Sequence, residues 1–435
     1  MSSPSLALSA AGAATAEAAT SPLQGQRLQQ AVRRAEAPGR LVSLLLVLPL
    51  LLYGAVFFLV PLAMMVHRAV ANPEVQEALP RTAVALAGWA TEGGAASDGP
   101  PPAAAAALVQ ELQQGAGSRQ LGELARRLNY EQAGYRTLVI KTARQAAALP
   151  APPPDAASWL AGVDERWAEP APWRALQRAA SPWTAYYLLS ALDLRQDDAG
   201  RIVQAPADQR IYLDVVLRTL GIAGGVTLCC VLLGYPLAAL LVRAPRKFAL
   251  LLTLAILLPF WTSLLARTTA WIVVLQENGL VNGLLQALGL VSRPLTLVFN
   301  ATGLYIVMVH ILLPFTVLPI YSSLKGIPPH LMRASASLGA HPVRGFLAVV
   351  LPLSMPGVAA GALLTFIVAA GYYITPSLVG SAREQMLGYF VAFYANNTVN
   401  WGMASALGLV LLACVGAVYV VAASTLGVRQ LAGLK

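Results

Sequence analysis

LKGIPPHLMRASASLGAHPVRGFLAVVLP, residues 324–352, lies between two apolar runs that are each long enough to cross a bilayer. It is punctuated by glycine and proline and carries Lys325, Arg333 and Arg344 with no Asp or Glu. Hydrocarbon cannot satisfy the backbone polar groups of such a loop, so it faces water, and its basic charge places it on the cytoplasmic side. Pro328 and Pro329 keep helix from running into it, while Leu331 to Leu338 has room for two helical turns that stop at Gly339.

The pattern Arg333-Ala334-Ser335, three residues, Gly339, nine residues, Val349, one residue, Leu351-Pro352 resembles the EAA loop of bacterial ABC-importer permeases. The resemblance implies a short coupling helix docked in a groove of a separate ATPase subunit. It assigns Leu331, Arg333, Ala334, Ser335, Gly339, Leu351 and Pro352 to that coupling loop. The chain departs from the family at the first position, where Arg333 stands in place of a glutamate and the contact made through that carboxylate is open.

Composition agrees with a membrane protein. Of the 435 residues, 57% are hydrophobic and 11% charged, with a mean hydropathy of +0.61, whereas soluble domains carry about 25% charged residues. The pI near 9.7 would suggest nucleic acid in a soluble protein. Here the bases sit beside apolar runs, where they orient spans, so no nucleic-acid partner is expected. Cys229, Cys230 and Cys414 fall inside expected spans without metal-ligand spacing, and neither a metal nor a cofactor is expected.

Outward from the loop, apolar runs are expected to cross at about 216–242, 248–275, 303–324, 354–375 and 402–426, with the coupling loop at 325–352. A first crossing at 41–65 follows a polar, arginine-bearing cytoplasmic tail, residues 1–40. Between them, residues 69–210 have the texture of a water-soluble, mainly helical periplasmic insert. Leu108, Val109, Leu112, Leu121, Leu124 and Leu128 recur at helical intervals there, and Trp159, Trp167, Trp173, Trp183, Tyr186 and Tyr187 supply bulk. Gln276 to Asn300 reads as an external turn plus an interfacial helix, with Leu280, Val281, Leu284, Leu285 and Leu288 on one face. After residue 40 each expected cytoplasmic segment carries bases and no acids, which puts both termini inside.

Several residues inside the spans invite two readings. Gly221/Gly225 and Gly357/Gly361 let helices approach closely; Pro236, Pro314, Pro319 and Pro356 break helices, either as kinks or to line a path. Arg267 snorkels to the outer surface or pairs with a partner such as Glu277, and His310 reads as a hydrogen-bonded interior side chain. Trp261, Trp271, Tyr372, Tyr373, Tyr394 and Trp401 form an aromatic belt or a cation-binding path. Pro259-Phe260-Trp261-Thr262-Ser263 with Arg267 and Trp271, GYYITPSLVG (371–380) and YFVAFYANNTVNWGMASALG (389–408) are similar to the polyamine-type branch of the same permeases. The candidate substrate path is therefore Trp261, Thr262, Arg267, Trp271, Tyr372, Tyr373, Asn400 and Trp401.

The expected fold class is an all-α integral membrane protein: six transmembrane helices in the type I ABC-importer permease arrangement, plus the insert after the first span. The chain carries no G-x-x-x-x-G-K-[ST] phosphate loop, so energy has to enter through another subunit and no enzymatic role is expected. The resemblance covers roughly Val216 to Leu426. It implies a spermidine/putrescine permease of the bacterial inner membrane, working in the lipid bilayer with a pair of ATP-binding subunits, a second homologous permease and a periplasmic solute-binding protein. Sulfate, molybdate, phosphonate and iron permeases share the loop and remain open as alternatives. An ion-coupled secondary transporter would want buried acids, yet Asp214, Glu277 and Glu384 fall at span ends.

Overall fold

The computed structural model describes residues 45–87, 89, 100–197 and 201–425. The expected tail (1–40), residues 41–44 of the first expected span, Leu426, and the basic Arg429 and Lys435 lie outside the described residues. The chain divides into two compact units, Met1–Met64 and Met65–Lys435. The described part of the first belongs to one apolar helix, α1 (Leu45–Val70), whose Leu46, Phe57 and Phe58 are exposed as lipid-covered side chains would be.

In the second unit the insert is helical, as its periodicity implies: α2 (Glu74–Ala78), α3 (Pro80–Ala87), α4 (Pro102–Gly115), α5 (Arg119–Glu131), α6 (Tyr135–Ala147), α7 (Ala156–Val163), α8 (Pro170–Ala179) and α9 (Tyr186–Ala191). A small antiparallel hairpin follows, β1 (Leu194–Gln196) and β2 (Ile202–Gln204), with Arg195 opposite Val203. Leu108, Val109, Leu112, Leu121, Leu124 and Leu128 close into one core with Trp167 and Trp173. Buried indoles need acceptors: Trp167 Nε1 donates to Thr142 Oγ1 at 2.9 Å and Trp173 Nε1 to the Trp167 carbonyl at 2.9 Å. The buried Glu111 carboxylate accepts from the Arg81 and Thr82 amides at 2.6 and 3.0 Å, satisfying the first turn of α3 where a negative charge is favoured. Trp183 departs from its expected packing role, being 59% exposed with its ring perpendicular to that of His67.

The helices that follow the hairpin are α10 (Tyr212–Arg243), α11 (Arg246–Leu257), α12 (Leu264–Leu275), α13 (Leu280–Ala287), α14 (Ala301–Lys325), α15 (His330–Ser337), α16 (Pro342–Gly371), α17 (Ile374–Val379), α18 (Leu387–Asn396) and α19 (Trp401–Thr425). Among the described residues, five helices are long and apolar enough to cross a membrane, and a sixth crossing exists if a bent pair is one span. Ile222, Ala223, Val226 and Cys230 of α10 pack with Leu304, Val307, Met308 and Leu312 of α14 and Ala369 and Ala370 of α16. Where α14 crosses α16, Thr316 and Thr365 share a buried hydrogen bond of 2.6 Å.

The bent pair corrects the continuous crossing expected at 248–275. Residues 246–261 and 264–287 meet at 109°. Pro259 has no amide hydrogen to continue the ladder, residues 258–261 tighten into a 3₁₀ turn, and Ser263 Oγ caps α12 by accepting from the Ala266 amide at 3.2 Å. Pro236, Pro314, Pro319 and Pro356, by contrast, lie inside continuous helices and break none. The crossing expected at 354–375 also differs, since α16 starts at Pro342 and ends at Gly371. Its apolar Phe346–Val350 stretch continues the helix as a π turn, the wider winding that accommodates Pro352 two residues on.

The two glycine pairs part company. A Cβ at Gly361 would lie 2.8 Å from the Thr316 carbonyl oxygen, and one at Gly357 would lie 2.7 Å from that of Pro319. Gly225 faces the Tyr305 ring, whereas Gly221 has nothing within 4 Å.

The expected interfacial helix is α13, with Leu280, Leu284 and Leu288 exposed. Buried Asn282 pins its loop: Nδ2 donates to the Gln276 and Leu295 carbonyls at 3.1 and 2.9 Å, and Oδ1 accepts from the Leu295 amide at 2.8 Å. Asn282→Ala should therefore cost about 2 kcal/mol, the price of orphaned buried backbone groups. Limited proteolysis of the purified protein should cut faster between residues 288 and 300.

Candidate functional site

The segment expected to serve as the coupling loop folds as a helix–turn–helix. α15 begins after Pro329 and ends in a left-handed turn at Gly339, φ +81°. Ala340 N donates to Ser335 O at 3.1 Å and Gly339 N to Ala336 O at 2.9 Å, the paired bonds of a Schellman stop. Leu331, Met332 and Ser335 are half-buried, and Met332 and Ser335 lie against Gly345, where an added Cβ would meet Ser335 Oγ at 2.7 Å. Arg333, Ala334, Ser337 and Leu338 are exposed on the other face. Leu351 and Pro352 lie within α16, so the expected loop 325–352 is mostly helix. Gly345 escaped the sequence reading because its role depends on which face of α15 turns inward.

At the 109° bend a cavity of about 320 Å³ is lined by Leu258, Pro259, Thr262, Arg267, Trp271 and His310, among others. Arg267 is bound to the break itself. Its Nε donates to Thr262 Oγ1 at 3.1 Å, and its Nη2 to the carbonyls of Thr262, at 2.8 Å, and Pro259. These are acceptors the interrupted helix leaves open, so Arg267 neither relies on Glu277 nor reaches away to snorkel. Trp271 Nε1 donates to His310 Nδ1 at 3.0 Å, which leaves the imidazole proton on Nε2. His310 is hydrogen-bonded as expected but exposed rather than interior. The indole's need for an acceptor was the signal that could have paired the two.

The remaining candidate path residues lie elsewhere. Tyr372 packs on the α10–α14–α16 core, and Tyr373 caps α17, 42% exposed. α17 is tied to α12 by Thr268 and Thr375, whose hydroxyls are 3.4 Å apart. Trp261 is 86% exposed. Asn400 is the N-cap of α19, its Oδ1 accepting from the Met403 amide at 3.1 Å, and Trp401 stands beside it, 52% exposed. The cavity thus gathers Thr262, Arg267 and Trp271, and leaves Trp261, Tyr372, Tyr373, Asn400 and Trp401 out.

Residues 230–429 match the family model described as binding-protein-dependent transport system inner membrane component. The chain is 34% identical to the spermidine/putrescine transport system permease protein PotB of Escherichia coli (strain K12) over 206 residues, 47% of this chain and 75% of that protein. It is 35% identical to PotB of Haemophilus influenzae over 204 residues, 46% of this chain and 71% of that one. The crystal structure of a bacterial alginate ABC transporter in complex with alginate pentasaccharide-bound periplasmic protein aligns at a TM-score of 0.43 and 14% identity, covering 51% of this chain and 80% of the other. The chain belongs to the binding-protein-dependent inner-membrane permeases.

In this permease a second cluster, unseen in the sequence, joins the insert to the last helix. Arg127 on α5 is 2% exposed, and its Nε donates to Asn72 Oδ1 at 2.8 Å. Its Nη2 lies 3.1 Å from Glu131 Oε1, and its guanidinium sits 4.5 Å from the Tyr186 ring centre and 5.4 Å from that of Tyr187. Tyr187 in turn fills the space over Gly402 of α19, where an added Cβ would run into the ring. Burial raises the Tyr186 phenol to about 12, against the pull of Arg127, and raises the Glu74 carboxyl above its ordinary value. Asn72 and Tyr186 each lie more than fifty positions from Arg127, beyond what any local pattern encodes.

Proposed function

We propose that this permease is the membrane-crossing subunit of an ATP-driven polyamine importer, most closely a spermidine/putrescine system. The reading rests on the 34% identity to spermidine/putrescine permeases over 206 residues. The working assembly would add two ATP-binding subunits, a second homologous permease and a periplasmic solute-binding protein. The basic loop around α15 would face the cytoplasm with both termini, and the insert would face the periplasm.

Closure of the ATP-binding pair would move α15, and α16, continuous from Pro342 into the membrane, would carry that motion to the packed spans. The bend is a second moving part, because changing its angle requires Arg267 to exchange its hydrogen bonds to Thr262 and Pro259. A polyamine has to enter and leave, which suits open aromatic faces better than a full counter-charge. Trp261 and Tyr373 have such faces.

Uptake of labelled spermidine by cells producing the complete transporter tests the substrate. Saturable, ATP-dependent uptake displaced by unlabelled putrescine is expected; uptake driven by an ion gradient alone, or indifferent to putrescine, would overturn the reading. Trp261→Ala and Tyr373→Ala should each lower uptake severalfold, and unchanged affinity and rate in both would return these rings to the lipid belt. For coupling, Gly339→Val places a β-branched residue at φ +81°, a backbone cost of about 1–2 kcal/mol, with nothing within 4 Å of the new Cβ. ATP hydrolysis is expected to persist while uptake falls; normal uptake by an inserted variant would refute a docking role for this turn.

A further inference from the structure

The exposed face of α15 specifies more about its partner than that one docks there. His330, Arg333, Ala334, Ser337 and Leu338 are exposed and recur at the i, i+3, i+4, i+7, i+8 spacing of one helical stripe, with Leu338 88% exposed at its end. The opposite side, through Met332 and Ser335, is spent on Gly345. Lys325, His341 and Arg344 are exposed around the stripe, and no Asp or Glu occurs from Leu324 to Pro352. The surface is therefore a narrow, small-residue ridge with one bare leucine and a surplus of positive charge.

Resting on the docking role proposed above, we infer that the receiving groove on the ATP-binding subunit is rimmed by carboxylates, with an Asp or Glu opposite Arg333 and an apolar pocket for Leu338. Charge complementarity sets the rim, because a guanidinium seated in a neutral or basic groove would lose its water without a replacement partner. The small residues identify a groove rather than a bilayer. A helix lying on lipid presents a broad face of large apolar side chains, whereas on this stripe Leu338 alone is large and apolar. Ala334 and Ser337 let a partner's wall approach the backbone.

The test uses the tagged permease purified from its native membranes with its co-eluting nucleotide-hydrolysing subunit, identified by its ATP hydrolysis. A zero-length carbodiimide, which joins an amine to a carboxylate, should cross-link the Arg333→Lys variant to that subunit through an acidic residue, in addition to any link already made by the unsubstituted protein. Arg333→Glu should reduce retention of the subunit about tenfold at low salt, and raising salt to about 0.5 M, where exposed charges are screened, should loosen the unsubstituted complex. Leu338→Asp should release the subunit at any salt. Release by Leu338→Asp with no new cross-link from Arg333→Lys and no loss with Arg333→Glu would overturn the carboxylate rim while leaving docking intact. Retention in all three variants would overturn docking itself. An Arg333→Glu effect seen in anionic-lipid nanodiscs and absent in zwitterionic ones would assign the charge to lipid headgroups and overturn the inference.

Discussion

Gly361→Ala is expected to destabilise the membrane bundle by about 3 kcal/mol, the upper range for forcing atoms into a close-packed contact. The added methyl would lie 2.8 Å from the Thr316 carbonyl oxygen and 3.1 Å from its Cα, both backbone atoms of α14 that no rotamer change can move. Separating the helices would also stretch the Thr316–Thr365 hydrogen bond beside the contact. Gly221→Ala is the matched control. Nothing lies within 4 Å of that position, so there the change removes only the helix cost of glycine and should stabilise slightly. Thermal unfolding of the two detergent-purified variants measures both, and equal midpoints would mean that the α14–α16 approach is looser than described.

Arg127→Met should cost about 3–5 kcal/mol, as breaking one side of a buried charged cluster does. Asn72 would lose its side-chain donor, while Glu131 would keep Arg178, whose Nη2 is 3.3 Å away. Methionine fills much of the space, so the loss reports the charge and its hydrogen bonds more than a void. Limited proteolysis and thermal unfolding of the full chain should show the insert opening before the spans. Arg119→Ala, which removes an exposed partner of Glu123, should leave the melting curve where it is. If Arg127→Met behaved like Arg119→Ala, the joint between α5, α9 and α19 would be dispensable.

Much of the architecture was legible because membrane helices announce themselves by length and composition. α10, α14 and α19 begin and end within four residues of where their apolar runs do, and α15 spans His330–Ser337 where Leu331–Leu338 was expected. Gly339 could be read as the stop because few residues other than glycine tolerate φ +81°. Prolines alone do not tell where a helix turns: Pro259 breaks one, and Pro236, Pro314, Pro319 and Pro356 do not. A proline removes one hydrogen bond wherever it stands, and whether the helix turns there depends on whether packed neighbours hold the two halves in line. The eight candidate path residues divided for a related reason, since aromatic character marks a side chain suited to a membrane edge without saying which cavity it borders.

What the amino-acid order determined by itself was the set of helices, the helical nature of the insert, the basic segment and its stop, because burial in lipid and backbone geometry act locally. Only the tertiary structure decided that the third apolar run bends by 109° with Arg267 on its open carbonyls, and that Gly361 is a contact while Gly221 is not. It also decided that Arg127 ties the insert to α19 through Tyr187. Each of those outcomes depends on which distant backbone or ring arrives at a given position, and that is settled by the packing of the whole unit rather than by any neighbour in the chain.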